Sequence, residues 1–206
     1  AHTLSMKTDY ELYAIIDMEK KTKKFFTEQD IIPFKKIWFL HDYLSKSNKN
    51  IDLEYLKNIE KKYSINLWIS ALGDNIFHTN FNKFKDEEIL SLLEQDCKLF
   101  EKVLDEINPD FLCIKITDRH HNQLLYEICK ARGIKILMLT PARFSHKWYI
   151  SEEIDKMDKM NISSYEQSND IRTEKEIQEY LKSNDPSNKE IEFQKEIKRT
   201  TFDEIK

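Results

Sequence analysis

The sequence predicts an α/β fold, a Rossmann-like open and mainly parallel sheet flanked by helices, followed by a charged C-terminal helical extension. Three observations carry that reading. Short, near-continuously apolar runs alternate with longer segments whose apolar residues recur every three or four positions. One stretch, Phe111 to Thr140, reads as a complete strand, helix and strand with Gly133 before the second strand. After about residue 150 strong core residues become scarce. Residues 6–150 are therefore expected to form the α/β domain, and residues 151–206 a helical extension or a linker to a further domain.

Five runs are expected to be strands: Leu12 to Asp17, Ile37 to Leu44, Ile65 to Leu72, Phe111 to Thr117 and Ile134 to Thr140. Their continuous apolarity suits strands covered on both faces. In the second run Trp38, Leu40 and Tyr43 fit a helix equally well. Between the runs, Asp86 to Ile107 places Ile89, Leu92, Leu93, Phe100, Val103, Leu104 and Ile107 at helical spacing. Asp86, Glu87 and Glu88 suit the positive end of its dipole, and Pro109 stops it. Asp52 to Tyr63 repeats the pattern with Leu53, Leu56, Ile59 and Tyr63. A further helix carries Leu124, Leu125, Ile128 and Cys129, and Gly133 supplies the left-handed residue wanted after it. In the tail, Thr173 to Lys182 and Lys189 to Ile197 read as charged helices that need a surface to lie against.

Composition narrows the function. The 206 residues are 40% hydrophobic and 34% charged, as in a globular chain with a core. Only Gly73 and Gly133 are present, where ordinary usage of about 7% would place roughly fourteen. Neither GxGxxG nor GxxxxGK[ST] can be written with two glycines, so phosphate cradles of those kinds are excluded. The formal net charge is −4, which argues against a nucleic-acid partner, since phosphate binding needs a basic face. The acidic excess belongs to residues 151–206, with 15 acidic against 10 basic side chains. Cys97, Cys113 and Cys129 form no CxxC pair and suggest neither a disulfide framework nor a zinc site, consistent with a reducing cytoplasm. No run reaches the 18 or so apolar residues of a membrane span.

The candidate chemistry lies at strand ends. Thr117-Asp118-Arg119-His120-His121 stands where the fourth strand gives way to a helix. An arginine, a carboxylate and two imidazoles there could hold an anionic group and move a proton near neutral pH. The competing reading makes Asp118 a helix cap and the histidines solvated first-turn residues. Thr140, Pro141 and Arg143 follow the last strand. If the two strands are neighbours, Arg143 approaches the Asp118 loop, either to bind ligand or to pair with a carboxylate. Asp74, after Gly73 at the end of the third run, is a binding candidate or an ordinary Asx turn. His41-Asp42 is a weaker candidate. GxSxG and HExxH are absent.

The strings Asp52-Leu53-Glu54-Tyr55-Leu56, Glu60-Lys61-Lys62-Tyr63-Ser64-Ile65-Asn66-Leu67-Trp68, Asn108-Pro109-Asp110-Phe111 and Gly133-Ile134-Lys135-Ile136-Leu137-Met138 resemble the N-terminal region of capsule or surface polysaccharide biosynthesis proteins. The resemblance covers roughly residues 8 to 155. Its last portion is shared with many glycosyltransferases built from two Rossmann domains (GT-B). It implies the acceptor-side domain of a glycosyltransferase-like protein in bacterial surface or capsular polysaccharide biosynthesis, in the cytoplasm or peripheral to the inner membrane. Its partners would be a sugar or glycan acceptor and a nucleotide sugar, the donor sitting on a second domain beyond Lys206. No metal or other cofactor is implied for this half, and the sequence contains no Asp-x-Asp. On that model Asp118, His120 and His121 are the candidates for base catalysis, with Arg119, Arg143, Thr117, Thr140 and Asp74 for substrate binding. Where the family carries Asp-Arg after the third strand, this chain has Asp74-Asn75, which removes the cation. The alternative is a non-catalytic α/β binding or interaction module, so enzyme activity stays open at this point.

Overall fold

The computed structural model describes residues 6–18, 20–44, 50–79, 82–115, 117, 119–141, 148–153, 156 and 173–183. The chain divides into two units, Ala1–Pro109 with Asp118–Gly133 and Asp110–Thr117 with Ile134–Lys206.

In the first unit, strand β1 (Leu12–Ile16), helix α1 (Lys20–Glu28) and strand β2 (Phe34–Phe39) form a strand, helix and strand whose strands pair in parallel, with a register irregularity between Leu12 and Tyr13. A 3-10 turn, Leu40–Asp42, ends β2, so the run expected to be a strand to Leu44 divides at Leu40. Parallel pairing places the residues that follow both strands, Asp17 and His41, at the same end of the ladder.

Two helices owe their starts to side chains in the expected places. In α2 (Leu53–Tyr63), Asp52 Oδ1 accepts the Tyr55 N–H at 2.8 Å, satisfying one orphan donor of the first turn. Ser64 closes it in the left-handed conformation, φ 55°. Helix α4 spans Asp86–Ile107, the bounds its acidic first turn and Pro109 predict. Glu88 accepts the Lys85 N–H at 2.8 Å, and Asn108 ends the helix at φ 41°. Helix α5 (His120–Ala131) ends before Gly133, at φ 72°.

The run Ile65 to Leu72 is not a strand. It folds as α3 (Leu67–Leu72), capped by Asn66, whose Oδ1 accepts the Ile69 N–H at 3.0 Å. Leu67, Ser70 and Ala71, at helical spacing, are buried, while Trp68, Ile69 and Leu72 face out. Glu60 Oε1 accepts the Leu67 N–H and secures the first turn from α2. A run this short satisfies a strand and a helix equally, and capping by Asn66 and Glu60 decides it. A 3-10 turn (Asn75–Phe77) and a two-residue antiparallel ladder, β3 (His78–Thr79) with β4 (Asn82–Lys83), lead into α4.

The core of this unit sits among α2 to α5, where Leu56, Ile59, Leu93, Phe100, Val103, Leu124 and Ile128 are buried. Polar contacts fix α5 near its C-terminal end. Glu101 accepts from Tyr55 Oη (2.9 Å), Tyr63 Oη (2.7 Å) and Lys62 Nζ (2.6 Å). Arg132 then donates to Tyr63 Oη at 2.9 Å and to Asp105 at 2.6 Å. Burial opposes the charge on Glu101, but the bonds from Lys62, Tyr63 and Tyr55 win and lower its pKa.

In the second unit, β5 (Phe111–Lys115) and β6 (Lys135–Pro141) pair in parallel, as the strand, helix and strand pattern predicts, and β7 (Trp148–Ser151) joins β6 antiparallel. Strand β7 is not among the five expected from the sequence. The described strands thus form three small ladders, β1-β2, β3-β4 and β5-β6-β7, and not the single open parallel sheet expected. The tail contributes α6 (Glu174–Ser183). The expected helix Lys189 to Ile197 lies outside the described residues.

Gly133 has nothing within 4 Å of the position a Cβ would take, so its requirement is purely conformational. Gly133→Ala is therefore expected to cost about 1 kcal/mol through the left-handed backbone alone. Chemical denaturation should show that loss with an unchanged m-value, whereas Gly73→Ala, at φ −71°, should lose less.

Candidate functional site

Two consecutive residues, His120 and His121, occupy the first turn of α5, and the first unit treats them differently. His120 is buried between two buried carboxylates. Asp74, at the turn after α3, accepts the His120 backbone N–H at 2.9 Å and its Nδ1–H at 2.7 Å through one oxygen, Oδ2. Its other oxygen accepts the Ile76 N–H at 2.9 Å and lies 3.7 Å from the Arg119 guanidinium. On the far side of the ring, His120 Nε2 is 3.1 Å from Asp96 Oδ2, an ion-pair contact without hydrogen-bond alignment. Asp96 projects from the middle of α4 and is 0% exposed. Phe77 packs on the imidazole with ring centroids 4.6 Å apart.

Burial alone would drive the proton off His120. The hydrogen bond to Asp74 and the charge of Asp96 outweigh it and raise the pKa from 6.5 to about 9. Asp74 responds in kind: burial would raise it, but the bonds from His120 and Ile76 hold it at about 2. His120 is thus a stored cation at neutral pH, with its proton held too firmly for it to act as a base.

His121 has the opposite character. Burial lowers its pKa, and the neighbouring His120 cation, with ring centroids 5.1 Å apart, lowers it further. It is neutral at pH 7. Its Nε2 lies 3.4 Å from Asp17 Oδ2, just past the end of β1, and His41 Nε2 approaches the other Asp17 oxygen at 3.3 Å. A carboxylate beside Nε2 favours the Nε2–H tautomer and leaves the lone pair on Nδ1. Asp17 and His41 are both about half exposed, so this array meets solvent. It can orient an imidazole and accept a proton from a hydroxyl.

The remaining expected residues are distributed as follows. Asp118 and Arg143 lie outside the described residues. Arg119 is exposed beside Asp74, and Asp74 is buried beneath His120, away from solvent. Thr117 and Thr140 belong to the second unit, where Thr140 Oγ1 is buried with no hydrogen-bond partner among the described residues. Asp17 and Asp96 are absent from the expected site. Asp96 left a legible trace, since it stands on the apolar stripe of α4 four residues from both Leu92 and Phe100. Asp17 left a weaker one, as an acidic residue at a strand's carboxyl end. Among the described residues no group of three or more His, Cys, Asp or Glu could hold a metal ion, and no helix is long and apolar enough to cross a membrane. Compared with family models, curated proteins and solved structures, the chain matches none.

The ion triad makes a pH-dependent contribution to stability. His120 is raised on folding, so its contribution is complete below its unfolded value of 6.5 and is lost as pH rises through 9. Asp74 is lowered, so its contribution is complete above 3.8 and is lost as pH falls through 2. Unfolding free energy should therefore fall between pH 6.5 and 9 by up to about 1.4 kcal/mol per pH unit. His120→Ala should remove that slope and, by leaving two buried carboxylates without a cation, cost about 3–5 kcal/mol at neutral pH. Urea titrations across the range check both expectations.

Proposed function

We propose that this chain is the acceptor-side domain of a glycosyltransferase-like protein in bacterial surface polysaccharide synthesis. The observation that carries the reading is the neutral His121 beside Asp17 at the carboxyl end of parallel β1 and β2. Ligands of α/β folds bind beyond such strand ends. Transfer of a sugar to a hydroxyl needs a base that is unprotonated near neutral pH, and the burial of His121 together with the cation of His120 provides it. In this reading His121 Nδ1 takes the acceptor hydroxyl proton, Asp17 holds the ring and supports the imidazolium that forms, and His120 sets the electrostatics without touching substrate. The resemblance of the strings within residues 8 to 155 to polysaccharide biosynthesis proteins supports sugars as the substrate class.

A thermal-shift panel of sugars, sugar phosphates and nucleotide sugars tests the binding half of the proposal. A ligand at a hundred times its Kd should stabilise the chain by about 2.7 kcal/mol. With a donor and acceptor identified, His121→Gln should lower kcat by about 10²- to 10⁴-fold with little change in stability. A panel without a single shift, or a His121→Gln enzyme of undiminished kcat, points instead to a non-catalytic module.

A further inference from the structure

The Asp17 carboxylate stands between two imidazoles, each facing its own oxygen. His121 Nε2 lies 3.4 Å from Oδ2, and His41 Nε2 lies 3.3 Å from Oδ1. An ionised carboxylate only accepts, so each ring serves it through an N–H. The three side chains differ in freedom. That of His121 is 10% exposed on the first turn of α5, whereas those of Asp17 and His41 are 45% and 48% exposed. Asp17 turns about two torsions just past the end of β1, and water competes for both of its oxygens. A contact at one oxygen alone would leave the carboxylate free to swing.

His41 is held in place from both sides. The β1-β2 register sets Ile16 beside Phe39, so Asp17 and the turn Leu40–Asp42 leave the ladder together. Leu40, 2% exposed, anchors that turn, and its carbonyl accepts the N–H groups of Tyr43 and Leu44 at 2.9 and 3.1 Å. On the other side, Asp42 accepts from Lys23 Nζ of α1, and the same ammonium lies 4.8 Å from the centre of the Phe39 ring. The carboxylate next in sequence is thus engaged with Lys23, and the His41 imidazole faces Asp17. It does so from a backbone tied both to the core and to α1.

We propose that His41 is a positioning residue: its Nε2–H holds Asp17 Oδ1, which keeps Oδ2 aimed at His121 Nε2 and leaves the His121 Nδ1 lone pair to the acceptor hydroxyl. The inference rests on the reading of His121 as the base. His41 touches no reacting atom in this scheme and acts through Asp17 alone.

Long-range nitrogen–proton correlation spectra of the full chain, with isotope-labelled histidine, read the tautomer of each imidazole and need no substrate. In the unmodified chain His121 should be mainly the Nε2–H form. His41→Ala should lower its ratio of Nε2–H to Nδ1–H forms by about fivefold, the worth of one modest hydrogen bond, with unchanged amide dispersion. His41→Gln, whose amide donates from nearly the position of Nε2, should restore the ratio. Asp17→Ala should lower it at least as far, and adding His41→Ala to that variant should change nothing more. An unchanged ratio in His41→Ala overturns the proposal, as does a further fall in the double variant or a His41→Gln chain that behaves like His41→Ala. Loss of native dispersion in His41→Ala also overturns it, because His41 is then part of the scaffold. The base reading fails separately, through an undiminished kcat in His121→Gln, to which these spectra are blind.

Discussion

The first unit is organised around one imidazolium held between two carboxylates. Asp74 comes from the turn after α3, Asp96 from the middle of α4 and His120 from the first turn of α5, so a single ring fixes three segments distant in sequence. Taking three charged groups out of water is costly, and it is tolerable only because each is met by opposite charge or by backbone donors. The arrangement is consequently intolerant of partial loss. A side chain that removes the cation leaves two anions in a site that excludes solvent.

The triad also prepares its neighbour. A buried histidine loses its proton readily, and a fixed cation next to it makes the loss more complete. His121 therefore owes its neutrality to its own burial and to the cation that Asp74 and Asp96 hold on His120. Parallel pairing of β1 and β2 brings Asp17 and His41 to the same ladder end, where Asp17 meets His121. The opposite end of α5 is tied through Arg132, Tyr63, Glu101 and Asp105, so the helix that carries both histidines is held near each terminus. The base proposed at His121 needs this rigidity, because proton transfer depends on geometry before it depends on pKa.

The three cysteines follow the same division between core and surface. Burial raises the Cys97 and Cys129 thiols, the latter to about 12, and keeps both unreactive at neutral pH. Cys113 alone is exposed among them, in strand β5.

Much of the secondary structure was legible along the chain, for local reasons. Helix α4 announces itself through three acidic residues, repeated apolar spacing and Pro109; the parallel pairing of β5 and β6 follows from a short crossover with Gly133 at its helix end. Where a run fits two periods, as at Leu67 to Leu72, the chain alone could not choose, and contacts from Asn66 and Glu60 made the choice. Nothing local showed that the described strands form three small ladders and not one open sheet, since strand partners far apart in sequence leave no local mark. The site shows the same limit. Two adjacent histidines at a strand-to-helix turn were visible as candidates, yet nothing local told them apart. Proton affinity depends on the charges and solvent within a few ångströms, and Asp74, Asp96 and Asp17 reach that range only through long-range packing. The sequence by itself determined the helices with acidic starts, sustained apolar spacing and clear stops, and where ionisable groups stand along the chain. The tertiary structure decided which histidine keeps its proton and which gives it up.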